Sequence, residues 1–140
     1  MSADTFLDTN VFVHHLDATD KTKHAVAERI VGEGLLAGTT CISFQVAQEF
    51  LNVATRKSRR PLAPDLAREY LDIVLAPMMK VPASIGLYQR ALDVQARWRF
   101  GFYDSLVVAA ALVAGCTRLL TEDLQDGQRI EALTIENPFR

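Results

Sequence analysis

In Thr5-Phe6-Leu7-Asp8-Thr9-Asn10, residues Thr5-Phe6-Leu7 are a short β-prone run that ends at the carboxylate Asp8, after which Asn10 to Leu16 reads as a short helix. A strand that stops at an acid and hands over directly to a helix is how an α/β unit begins. The rest of the chain keeps that alternation. Thr19 or Asp20 caps a second helix with Ala25, Val26, Ile30 and Leu35 as its apolar positions, and Gly32, Gly34 and Gly38 mark a fraying end. Thr39 to Ile42 is a second strand, and Ser43 is a good N-cap for a helix from Phe44 to about Lys57 striped by Val46, Ala47, Phe50, Leu51 and Ala54.

Lys57-Ser58-Arg59-Arg60-Pro61 breaks the pattern, and Pro64-Asp65 opens a helix that ends near Pro77. Met78 to Val81 is a third strand, Ser84 caps a helix to about Arg97, and Tyr103-Asp104 opens an apolar helix that stops at Gly115. Thr117 to Leu120 and Ala132 to Ile135 supply a fourth and a fifth strand. The expected fold is therefore α/β, with a mainly parallel sheet whose short strands are covered by helices on both faces. Without a repeat, low-complexity tract or linker, residues 1–140 read as a single domain.

Composition narrows the class. With 49% apolar and 23% charged residues, the chain has enough material for a core and is not a disordered polymer. The net charge of −2 gives no general affinity for a polyanion, so a nucleic acid must be met by a local basic patch or by bound cations. Cys41 and Cys116 sit in apolar stretches outside any Cys-x-x-Cys pair and read as reduced, buried residues. Met1-Ser2-Ala3-Asp4-Thr5 has no basic and apolar leader pattern, and the apolar run Leu106 to Ala114 is well short of the ~18 residues that cross a bilayer. These features suggest a cytoplasmic protein with no membrane partner.

Ligands of open α/β sheets bind beyond the carboxyl ends of the strands. Asp8 follows the first strand. Ser43 follows the second, with Glu49 about 7.5 Å further along the next helix. Thr121, Glu122 and Asp123 follow the fourth, with Asp126 beyond, and Asp104 opens the helix before it. Each acid has an ordinary explanation: Asp104 as an N-cap, Asp8 in a turn with Thr9 and Asn10, Glu49 on a solvated helix face, 123–127 as a polar loop. As an ordered set they suggest a shared acidic pocket. Crowded carboxylates repel, and Mg²⁺ or Mn²⁺, which prefer oxygen ligands, make such a pocket tolerable. Two such ions can activate water and stabilise the leaving oxygen of a phosphodiester.

Leu-Asp-Thr-Asn-Val at 7–11, Gln-Glu-Phe at 48–50, Tyr-Asp-Ser-Leu at 103–106 and Leu-Thr-Glu-Asp-Leu-Gln-Asp-Gly at 120–127 together resemble a PIN domain, and the last segment is similar to bacterial VapC toxins. The resemblance extends from residue 6 to about 136. It implies a three-layer fold around a four- or five-stranded, mainly parallel sheet. It also implies that Asp8, Glu49, Asp104 and Asp123 are the catalytic, metal-binding quartet, with Asn10 and Thr121 orienting carboxylates or water. Asp126, about one helical turn from Asp123, and Glu122 beside it remain alternatives for the fourth acid. The implied activity is a Mg²⁺- or Mn²⁺-dependent endoribonuclease leaving 5′-phosphate and 3′-hydroxyl ends. The implied partners are an RNA substrate, a small antitoxin and a second copy of the chain. Two readings compete: a catalytically silent PIN module, which the presence of all four acids disfavours, and a haloacid-dehalogenase-type phosphatase, which wants an Asp where this chain has Asn10.

Other residues fit around that frame. His14, His15 and His24 lack the second cluster a zinc site requires and read as structural. Arg56, Lys57, Arg59 and Arg60 form either a solvated loop or a clamp on phosphates. Arg97-Trp98-Arg99-Phe100 lies just before Asp104, where Trp98 or Phe102 would stack on an unpaired base, although Trp98 also suits the core. Two bound divalent ions would turn the formal −2 into +2 and place the added charge at the scissile phosphate. An antitoxin would meet the pocket with an Arg guanidinium and lay apolar residues in a groove beside Val11, Phe12 and Leu16.

Overall fold

The computed structural model describes residues 3–140, so the part of the N-terminal reading that falls on Met1 and Ser2 lies outside the described residues. In chain order the elements are β1 (Thr5–Leu7), α1 (Thr9–Leu16), α2 (Lys21–Ala37), β2 (Thr40–Ser43), α3 (Phe44–Asn52), a wide helical turn (Val53–Lys57), α4 (Pro64–Tyr70), a second wide turn (Leu71–Leu75), the single turn α5 (Ala76–Met78), β3 (Met79–Val81), α6 (Ile85–Trp98), α7 (Phe102–Val113), β4 (Arg118–Leu120), β5 (Arg129–Ile130) and β6 (Leu133–Glu136). The expected caps hold: Asp20 accepts from the Lys23 amide, Ser43 from Val46 and Ser84 from Leu87.

The strands form one sheet in the order β3-β2-β1-β4-β6-β5. Every pairing is parallel except β5 with β6. The sheet thus has six strands rather than the four or five expected. The additional one, Arg129–Ile130, is two residues long and returns onto β6 through Glu131 at φ 56°. Two residues carry no readable alternation, and a non-glycine residue at positive φ gives no turn signal.

From β1 the chain crosses to β2 on one side, and β4 lies on the other. That reversal opens the crevice at the carboxyl end of β1 where open α/β sheets take ligands. α7 is buried continuously from Ser105 to Ala111 because it is wedged between the sheet and α6, which explains an apolar run with no polar face. Phe6, Leu7, Ile42, Leu119 and Ile135 from the strands meet Val11, Phe12, Val46, Phe50 and Val108 from the helices in the core. Cys41 and Cys116 are buried free thiols with sulfurs 3.4 Å apart. Among the described residues no helix is long and apolar enough to cross a membrane.

α2 departs from its expected face. Ala27, Val31 and Gly34 are its buried positions, while Val26, Ile30 and Leu35 are half-covered and Ala25 is exposed. Gly34 is not part of a frayed end, since the helix continues to Ala37 and is capped by Gly38 in the left-handed conformation. It is a contact point: a Cβ there would sit 2.6 Å from Thr40 Oγ1 and 3.2 Å from Thr40 Cβ. Thr40 is buried and β-branched, so it has little room to yield. Gly34→Ala should therefore lower stability by about 1–3 kcal/mol, the usual range for overpacking. Gly32→Ala, which meets nothing within 4 Å on the exposed side of the same helix, should raise it by about 0.5–1 kcal/mol. Urea unfolding of the pair checks both signs, and equal effects would contradict the contact.

Candidate active site at the ends of the central strands

Asp8 leaves β1 with extended backbone and becomes the N-cap of α1, where its Oδ1 accepts the Thr9 amide at 2.7 Å. Its own amide donates to Leu120 O on β4, so β1 and β4 remain joined one residue beyond their ladder. Thr121, the next residue on that side, is fully buried. Its hydroxyl has one hydrogen, which goes to Asp8 Oδ2 at 2.8 Å. The same oxygen accepts from Asn10 Nδ2 and from the Asp123 amide, each at 3.1 Å. One hydroxyl thereby fixes Asp8, Asn10 and the backbone of Asp123.

Asn10 Nδ2 also donates to Asp123 Oδ2 at 3.1 Å. Both of its partners are acceptors, which sets the amide orientation and leaves Asn10 Oδ1 buried without a protein partner. On the opposite side Thr9 Oγ1 donates to Glu49 Oε2 at 3.1 Å, and Gln45 Nε2 donates to Glu49 Oε1 at 2.7 Å. Asp104 stands in the first turn of α7. Burial, and then the charges of Asp123 and Glu49, raise its carboxyl above the ordinary range. Asp8, Glu49, Asp104 and Asp123 thus occupy one neighbourhood, with Asp8 buried and the other three exposed.

The alternative acids do not join them. Glu122 turns to His14 Nε2 at 2.8 Å and Lys23 Nζ at 3.0 Å. Partial burial works to raise its carboxyl, but these two partners outweigh burial and hold it below the usual range. Asp126 accepts from the Asn137 amide and pairs with Arg140, and both interactions lower its carboxyl. The segment from Thr121 to Gln128 is not helical, so Asp126 does not lie one turn above Asp123.

Two residues at this site escaped the sequence reading. Gln45 is buried on α3, and it donates to Glu49 and also to the Tyr103 carbonyl at 3.2 Å. Tyr103, next to Asp104, is 70% exposed, with its ring edge-on to Phe102. Trp98 and Phe102, the expected stacking residues, are half-buried against the core. The signal for Gln45 was its spacing four residues before Glu49 on one helix. The histidines are structural as expected: His14 binds Glu122, and His15 binds the Tyr70 hydroxyl at 2.8 Å.

The donors suit a hard divalent cation: four carboxylates and a buried, unpartnered amide oxygen, with no soft ligand among them. As they lie, no three His, Cys, Asp or Glu side chains among the described residues are close enough to form a metal cage. Like charges favour such a spread, and here neighbouring donors hold Asp8, Glu49 and Asp123 individually. The Asn10 amide oxygen is buried beside Thr121 and Asp123 with no protein partner.

Burial pushes the Asp8 carboxyl up to about 6, against the Thr9 and Thr121 hydrogen bonds and with help from the Asp123 and Glu49 charges. A carboxyl raised on folding contributes its stability below pH ~4 and loses it as pH rises through about 6. The difference corresponds to about 3 kcal/mol at neutral pH. In EDTA, the stability of wild type relative to Asp8→Asn should therefore fall by roughly that amount between pH 4 and 7. Chemical denaturation at several pH values measures it, and a pH-independent difference would rule out a buried, ionising Asp8.

A sequence model of the PIN domain matches residues 5–129. Among solved structures, DNA-bound VapBC from Salmonella typhimurium superposes with a TM-score of 0.70 at 19% identity, covering 97% of this chain and 98% of that one. VapBC2 from Rickettsia felis, bound to a promoter DNA fragment, gives 0.66 at 20% identity, covering 95% and 97%. VapC20 from Mycobacterium tuberculosis, a sarcin–ricin loop cleaving toxin, gives 0.61 at 20% identity, covering 83% and 87%. Comparison with curated protein sequences finds no match. These likenesses show the fold, and the PIN match, over most of the sequence, shows the family: this chain belongs to the PIN domain family.

Proposed function

We propose that this protein is a divalent-cation-dependent endoribonuclease and the toxin of a toxin–antitoxin pair. The observation that carries the reading is the network around Thr121, which sets Asp8 and Asp123 beside Asn10 at the crevice between β1 and β4, with Glu49 and Asp104 close enough to act on them electrostatically. Family membership and the likeness to VapC and VapBC structures support the nuclease reading.

Asp8, Glu49, Asp104 and Asp123 would hold Mg²⁺ or Mn²⁺, which supply Lewis-acid stabilisation of the phosphoryl charge and a more acidic water when bound. The chain's own part is orientation. Thr121 and Asn10 keep two of the carboxylates in fixed rotamers, as supporting groups do around metal sites. Without cations the acids repel a phosphodiester, so cation loading governs substrate entry. Tyr103 at the rim suits stacking on an unpaired base next to the scissile phosphate, the role expected of Trp98 or Phe102.

The purified protein should cleave RNA in Mg²⁺ or Mn²⁺, stop in EDTA, and leave 5′-phosphate ends. Asp8→Asn, Asp104→Asn and Asp123→Asn should each lose activity by about 10²-fold or more, whereas Glu122→Gln and Asp126→Asn should stay within a few-fold of wild type. Tyr103→Ala should raise KM more than it lowers kcat. Undiminished cleavage in chelator, or cyclic phosphate ends, would contradict the mechanism.

The VapBC likenesses also support a small antitoxin partner, and a second copy of the chain remains part of the proposal. Of the residues expected to border an apolar groove, Val11 and Phe12 are fully buried, and Leu16, at the end of α1, shares a cleft of about 300 Å³ with Leu62, Leu66, Tyr70 and Ile73. Leu66 and Ile73 are 54% and 58% exposed, an unusual position for large apolar side chains facing water together. Leu66→Asp and Ile73→Asp should weaken capture of an antitoxin encoded by a neighbouring reading frame while leaving RNA cleavage intact. Unchanged capture would place the antitoxin elsewhere.

A further inference from the structure

We propose that Gln45 is a positioning residue for the acidic centre: its side-chain amide ties Glu49 to the backbone of Tyr103 and so sets the distance between α3 and the start of α7 before a cation binds. The inference rests on the cation-dependent reading above.

Gln45 is 4% exposed, in the first turn of α3, next to the buried apolar residues Val46 and Ala47. An apolar residue of similar size would fill that place without desolvating an amide. The glutamine uses both of its N–H groups. One goes to Glu49 Oε1 at 2.7 Å, within α3. The other goes to Tyr103 O at 3.2 Å, across to α7. Because both partners are acceptors, the amide has one workable orientation, and that orientation leaves Gln45 Oε1 buried with no protein partner. A buried acceptor left without a partner is a cost that calls for an explanation.

Tyr103 immediately precedes Asp104, so the bond to its carbonyl holds the turn that carries Asp104. Ser105 reinforces the same turn through its hydroxyl and amide, both donating to Gly101 O at 2.9 Å. Glu49 is held on its other oxygen by Thr9, at the start of α1. A continuous chain of donors thus runs from α1 through Glu49 and Gln45 to α7, and Gln45 is the link joining the Glu49 side of the centre to the Asp104 side. The same link fixes the backbone from which the exposed Tyr103 ring projects. Without it, Glu49 keeps only Thr9, and no side-chain hydrogen bond ties the Glu49 side of the centre to the turn carrying Asp104.

Two variants separate positioning from simple structural support. Gln45→Leu removes both donors and the orphaned acceptor. Gln45→Met keeps a long, unbranched shape and likewise donates nothing. Each is titrated with MnCl₂ by calorimetry and melted in EDTA. The expected result is Mn²⁺ binding weakened tenfold or more in both, the usual scale for residues that orient metal ligands. Gln45→Leu or Gln45→Met should also melt no lower than wild type in EDTA, with RNA cleavage recovering as Mn²⁺ is raised. Mn²⁺ affinity within twofold of wild type in Gln45→Leu or Gln45→Met overturns the inference. So does a lower melting temperature in both, which would make Gln45 a packing residue. Wild type that neither binds Mn²⁺ nor cuts RNA overturns the proposed function with it, whereas a wild type that does both while the variants behave identically overturns the inference alone.

Discussion

The hydrogen bond from the Thr121 hydroxyl to Asp8 joins the ends of the two central strands at the point where the chain order reverses across the sheet. Both residues are buried, and the hydroxyl is used to capacity by Asp8, Asn10 and the Asp123 amide. The position of the first acid, the orientation of Asn10 and the start of the loop carrying Asp123 all depend on it. A valine at 121 would keep the shape of the side chain and take one partner from each of the three groups. That is why the end of β4 matters more to this centre than any other strand end except that of β1.

The centre opposes the stability of the fold that carries it. Burying Asp8 raises its carboxyl, and the charges of Asp123 and Glu49 add to the effect. Asn10 and Gln45 each leave a buried oxygen without a protein partner. Away from the centre the pattern reverses: Glu122, Asp126 and Asp17 are held below their usual range by hydrogen bonds and cations, and there ionisation favours the fold. Raised carboxyls and unpartnered buried amide oxygens gathered around one group of acids are the pattern expected of a functional site.

Much of this was legible because it is local. β1 ending at Asp8, the Ser43 and Ser84 caps, the apolar helix opened by Asp104 and the strand before Thr121 each follow from short-range pattern. The long-range facts were not. Sequence left Asp123, Glu122 and Asp126 as alternatives, and only the partners of each, Asn10, His14 with Lys23, and Arg140, separate them. Gly34 resembled a helix end because its reason, the close approach of Thr40, lies on another element. Trp98 drew attention over Tyr103 because residue type is visible in sequence and exposure is not. Gln45 was hidden by the apolar residues that follow it.

Whether Asp8, Glu49, Asp104 and Asp123 form one divalent-cation centre is read out by anomalous diffraction at the manganese edge from crystals soaked in MnCl₂ at a concentration that supports RNA cleavage. The expected result is an anomalous peak among these four carboxylates, with Asp8 and Asp104 as ligands and Asn10 beside it. Crystals showing no peak there, or peaks only at Glu122 or Asp126, would contradict it.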